Sequence, residues 1–161
     1  MKFLFSIVFL FFFSGSQDIS TARENYIQAS KSKEKADEFS DAMANYIGDN
    51  KTMLAYKGAS IALKAKFACD RKTKKVLFTK GIQILEKALK ADPNNAEIRL
   101  IRLSIQENTP KILNYKGNIQ EDKQLILTTF DKQNKSLKEH LLTFINQSKS
   151  FTAQEKELLK N

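Results

Sequence analysis

Apolar residues recur at helical spacing through almost the whole chain after residue 20, and nowhere in the strict alternation of a strand. Thr21-Ala22-Arg23-Glu24 has the form of a capping box, in which a hydroxyl and a carboxylate satisfy the free backbone donors of a helix start. It predicts a first helix with Ala22, Tyr26, Ala29, Ala36, Phe39, Met43 and Ile47 on its apolar side and Gly48 as its stop. The polar stretch from Ser30 to Lys35 is where that helix frays or bends. Asp49 or Asn50 caps a second helix over 51–68, along which Ala55, Gly58, Ala59, Ala62, Ala65 and Cys69 form a stripe of small residues. Because Gly costs a helix about 1 kcal/mol relative to Ala, Gly58 in that stripe predicts the close approach of another helix.

Asp70 to Thr73 then turns the chain into a third helix, 74–91, with Leu77, Gly81, Ile84, Leu85 and Ala88 on one face. Asp92-Pro93 ends it, since the residue before a proline is pushed out of the helical region. The fourth helix, 95–107, is apolar on most sides (Ile98, Leu100, Ile101, Leu103, Ile105), which predicts a central, buried helix. Thr109-Pro110 breaks it, and Lys111–Gly117 is the longest candidate loop, with Ile112, Leu113 and Tyr115 folded back onto the core. Asn118 and Glu121 read as the cap of a fifth helix, 119–132, bearing Leu125, Ile126 and Phe130. Ser136 caps a sixth with Leu141, Leu142, Phe144 and Ile145, and Thr152 to Glu155 is a second capping box that opens a terminal helix with Leu158 and Leu159. The expected fold is all-α: antiparallel helical hairpins in a domain of six to seven helices.

The N-terminus changes the picture of where this domain works. Lys2 precedes a run from Phe3 to Phe13 that is apolar except for Ser6, and Ser14-Gly15-Ser16 supplies small residues at a cut site. This is the form of a secretory signal peptide, residues 1–16, leaving 17–161 as a single all-α domain. The run is too short for a bilayer core that needs about 20 residues, and the alternative is an uncleaved membrane anchor. With no Cys after the run, a lipoprotein anchor is not expected, and the chain is placed in the periplasm or outside the cell. Removing Lys2 lowers the formal net charge of +9 by one, so the exported part stays basic. Anionic lipid, polysaccharide or wall polymer are partners it could meet, whereas nucleic acid is not expected there. Cys69 is the single cysteine, so packing rather than a disulfide must hold the domain. In its Ala-rich stripe it reads as a small buried residue, the alternative being an intermolecular disulfide.

Residues 51–106 resemble the tetratricopeptide repeat, a pair of antiparallel helices. The resemblance rests on Gly81, Leu85, Ala88 and Pro93 at the repeat's own spacing, and on Gly58 as the small residue of the first helix. Two departures qualify it. Gly58 and Gly81 stand further apart than the repeat's crossing positions by about three helical turns of 3.6 residues. In the next helix Arg99 and Arg102 take the places where the family prefers Trp and Leu, and Leu103 replaces a small residue. What the resemblance implies is one elongated hairpin and not an array. The chain is also similar, at Tyr56–Ala59, Glu97–Arg102 and Asn118–Asp122, to a group of small exported bacterial helical proteins. That likeness implies no activity.

No constellation asks for catalysis, a metal or a cofactor. His140 is the one histidine and has no Cys at ligand spacing, and Glu121-Asp122 fall in a first helical turn, where the macrodipole favours carboxylates. Arg99, Arg102 and Gln106 share one face of the most apolar helix, at i, i+3 and i+7. Either they pair with Glu121 or Asp122 and fix helix register, or they line a groove and hold a partner's carboxylate. A second cluster, Arg71, Lys72, Lys74, Lys75 and Lys80, is either a solvated surface or a docking face for an anionic surface. The expected function is a non-enzymatic exported scaffold that binds a protein or peptide in a helical groove. The alternative is a basic module docking on an anionic envelope surface or polyanion.

Overall fold

The computed structural model describes residues 18–159, so the expected leader lies outside the described residues. They form eight α-helices, one more than the upper expectation: α1 (Ile19–Ala29), α2 (Lys33–Ala44), α3 (Lys51–Phe67), α4 (Arg71–Ala91), α5 (Ala96–Asn108), α6 (Ile119–Thr129), α7 (Lys135–Gln147) and α8 (Ala153–Leu158). Two short 3-10 turns lie at Lys111–Leu113 and Phe130–Lys132, and there is no strand among the described residues. The extra helix arises where the polar stretch was expected to bend. Ser32 is extended, and its side chain accepts the Lys35 N–H at 3.2 Å, so a new helix begins there.

Helix ends follow local side-chain chemistry in most places. Asn50, Asp70, Asn95 and Asn134 each accept a backbone N–H of the first turn that follows, and Thr152 and Glu155 form the full capping box. Several expectations fail for reasons visible at these ends. Helix α1 starts at Asp18 without a side-chain cap, so Thr21 to Glu24 lie inside it. Helix α2 stops at Ala44, which leaves Ile47 98 % exposed and off the apolar face. Helix α3 stops at Phe67 with Ala68 extended, so Cys69 is exposed and does not continue the small stripe. Asn118 makes no cap bond, and Asn134 rather than Ser136 caps α7.

The α3–α4 hairpin is the closest helix pair. A Cβ placed on Gly58 would stand 2.6 Å from the Gly81 carbonyl oxygen, and one on Gly81 would stand 2.5 Å from both the Gly58 oxygen and the Ala62 nitrogen. The two backbones touch where only glycine fits, which is the close approach that Gly58 predicted.

Helix α5 is buried from Ala96 to Gln106 and has four distinct sides. Ile98, Ile101 and Ile105 join a first core with Phe39, Met43, Met53, Tyr56 and Leu85. Leu100 and Leu103 join a second core built from α6, α7 and the segment after α7, with Ile126, Leu141, Ile145 and Phe151. Between these apolar sides lie two polar ones, Arg99, Arg102 and Gln106 on one flank and Glu97 and Ser104 on the other. The helix is apolar on two sides because it is the common wall of two cores.

Candidate functional site

The segment from Pro110 to Asn118 straps across the molecule beside the first polar flank. Asn114 makes its turn in the left-handed region (φ 48°), a conformation Asn tolerates. Tyr115 folds back as expected, packing edge-on against Phe78 at 5.7 Å between ring centres and donating its hydroxyl to Glu86. Ile112 does not fold back and is 90 % exposed, because the turn directs it outward.

Under the strap, Arg99, Arg102 and Gln106 converge on Asp122, which is fully buried. Asp122 accepts Arg102 Nε at 2.8 Å, Arg102 Nη2 at 2.6 Å, Arg99 Nη1 at 3.0 Å and Gln106 Nε2 at 3.2 Å. Glu121 accepts Arg99 Nη1 at 2.6 Å, Glu86 accepts Arg102 Nη1 at 3.3 Å, and the Gln106 carbonyl accepts the Asn118 N–H at 3.0 Å. Burial works against the Arg102 charge, but the bonds and charge of Asp122, with Glu86 and Glu121 beyond, raise its pKa above the ordinary arginine value. Glu121 is held below the usual carboxylate range, first by Arg99 and then by Asn118. Burial, and then Glu86, push the Tyr115 hydroxyl well up. Two guanidinium groups thus face three carboxylates, and the pairing with Glu121 and Asp122 places the candidate trio inside the protein, where it ties α5 to α4, α6 and the strap.

The other polar flank forms a second network that the sequence gives little sign of. Glu97 accepts Arg23 Nε and Nη2, both at 2.7 Å, and the Tyr56 hydroxyl at 2.8 Å, while Arg23 Nη1 reaches Ser136 Oγ at 2.9 Å. Burial, and then the Glu97 charge, raise the Tyr56 pKa, and burial pushes the Tyr26 hydroxyl, bonded to Ser104, up to about 12. Only the i, i+7 placing of Glu97 and Ser104, away from the arginine flank of α5, hinted at it. His140 on α7 stands near this pair. Burial lowers its pKa, Glu97 opposes that and Arg23 adds to it. Among the described residues, no group of three or more His, Cys, Asp or Glu side chains is placed to hold a metal ion.

Two features face outward. Between α3 and α4 an open trough of about 300 Å³ has a floor of Leu54, Ile84, Ala88 and Ala91, flanked by Lys51, Lys57 and Lys87. Lys57 is held in place by the carbonyls of Ala44 and Tyr46 at 3.1 and 2.9 Å. Arg71, Lys72, Lys74 and Lys75 wrap around the first turns of α4 and Lys80 lies further along, all exposed. The structure therefore separates the two candidate groups: the arginines are internal and the basic cluster is at the surface.

No protein-family model, no curated protein and no solved structure matches the chain.

Proposed function

We propose that the chain is an exported, non-enzymatic helical scaffold that holds a peptide segment of a partner protein in the α3–α4 trough. The observation that carries this reading is the trough: an apolar floor between lysines, on a hairpin whose backbones meet at Gly58 and Gly81. A rigid floor reduces the ordering lost when a peptide docks. The lysines favour a segment with aliphatic residues between carboxylates. The hairpin is read as tetratricopeptide-like from Gly58, Gly81, Leu85, Ala88 and Pro93, with Arg99, Arg102 and Gln106 bracing it from behind. No helix among the described residues is long and apolar enough to cross a membrane, and export is assigned to the Phe3–Phe13 run.

Selection from a displayed random peptide library tests this directly. Enriched peptides are expected to combine aliphatic and acidic residues and to bind Ile84→Asp and Lys87→Glu variants at least about tenfold more weakly, a loss of roughly 1.4 kcal/mol. Peptides whose affinity ignores both substitutions would place the binding site elsewhere.

A further inference from the structure

Seven of the protein's 27 lysines and arginines fall on the 21 residues of α4, the five of the basic cluster together with Lys87 and Lys90. All seven are exposed, and none forms an ion pair among the described residues, whereas Lys33, Lys35, Lys64, Lys123 and Lys138 all do. The one carboxylate on α4, Glu86, is turned away toward Arg102 and Tyr115. Lys72, Lys80, Lys87 and Lys90 share the outer side of the helix, a ridge of positive charge about 27 Å long at 1.5 Å per residue, while Arg71, Lys74 and Lys75 crowd the other sides of its exposed first turns.

Exposed aliphatic side chains accompany this charge. Val76, 57 % exposed, lies one turn from both Lys72 and Lys80. The strap brings Ile112 and Lys111, both exposed, to the same helix, because Tyr115 is packed on Phe78. Ile112 stands three positions before Tyr115, a reach of at most about 11 Å. Arg71 and Lys75 precede Phe78 by seven and three positions and therefore share its side of α4.

We propose that the α4 ridge and the tip of the strap form a docking surface for an anionic lipid bilayer, with headgroup phosphates against the lysines and Val76 and Ile112 entering the interface. A dissolved polyanion would satisfy the cations but leave both aliphatic side chains in water. A lipid interface takes up charge and apolar surface together, which decides between the two partners. The contact is peripheral, since no described helix can span a membrane. It shares only Lys87 with the peptide trough, and the variants below leave Lys87, Lys51, Leu54, Lys57 and Ile84 untouched.

The test is co-sedimentation of the purified exported protein with vesicles of phosphatidylglycerol mixed with phosphatidylcholine, and with phosphatidylcholine alone. Binding is expected only to the anionic vesicles and is expected to fall steeply as salt shortens the screening length. Lys72→Glu with Lys80→Glu is expected to weaken it about tenfold or more, and Ile112→Asp about fivefold. These positions are at the surface, so helical circular dichroism and Tm are expected to stay unchanged, which separates lost docking from lost folding. Dextran sulfate serves as the soluble polyanion, and its binding is expected to ignore Ile112→Asp. Equal binding to both vesicle types, or undiminished binding by the variants, would overturn the proposal. Binding to dextran sulfate but not to the anionic vesicles would overturn it in favour of a polyanion.

Discussion

Removing the Asp122 carboxylate would leave two buried guanidinium groups facing one another without their one fully buried acceptor, which takes three of their seven hydrogen bonds. Asp122→Ala is therefore expected to destabilise the fold by about 3–5 kcal/mol, the range for breaking a buried ion pair from one side. Glu121 touches the same arginines, but its side chain is 55 % exposed. Glu121→Ala is expected to lose no more than about 1 kcal/mol. Urea unfolding of both variants checks the contrast, and equal losses would mean that Asp122 is not the centre of the network. That Arg99 and Arg102 need partners from the helix after the loop was legible, because a charge at i and i+3 on an apolar helix cannot remain alone. The Glu97 network was not. Its partners, Arg23 and Tyr56, lie 74 and 41 residues away in the chain, and no local pattern encodes such a meeting.

At the scale of elements, the glycines decide how the hairpin can respond to change. Gly58→Ala or Gly81→Ala would gain about 1 kcal/mol in helix propensity. Each would also drive a methyl group into backbone atoms 2.5–2.6 Å away, which cannot swing aside. Overpacking wins, and each variant is expected to lose about 1–3 kcal/mol. Gly117→Ala is the control, since a Cβ there meets nothing within 4 Å, and it is expected to change stability by no more than about 0.5 kcal/mol. Thermal unfolding of the three variants reads this directly; unchanged Tm values for both helical glycines would show that the helices can part at no cost. Helix periodicity, the close approach at Gly58 and the burial of α5, apolar on most sides, were all legible in the sequence. Exact ends were less so. Helix α3 stops short of Cys69 and α2 short of Ile47, and nothing in either residue type marks the stop.

For the whole molecule, the joint between the two cores carries a titratable group. His140 on α7, in the second core, sits near Arg23 of α1 and Glu97 of α5, and the Arg23–Ser136 bond crosses the same joint. Burial holds its folded pKa below the ordinary 6.5, so near that pH the unfolded chain binds more protons than the folded one. Stability is therefore complete above about pH 6.5 and declines as the pH falls toward the folded value. Tm measured from about pH 7.5 down to pH 5 is expected to drop for the native chain and to stay level for His140→Gln. Glu121 and Glu155, whose pKa values lie below the ordinary 4.5, contribute stability that is lost only at lower pH, in both proteins. A matching decline in His140→Gln would place the proton elsewhere.

Helix α5 also sets a limit on how this architecture can change in size. In stacked-repeat proteins each unit touches only its neighbours, so units can be added or deleted and the remainder still closes. Here the same eleven buried positions from Ala96 to Gln106 face four different surroundings. Deleting the second core would bare Leu100 and Leu103, and duplicating the α3–α4 hairpin would demand a second helix with the same four-sided pattern. The hairpin looks modular, but the helix that closes it makes the whole indivisible.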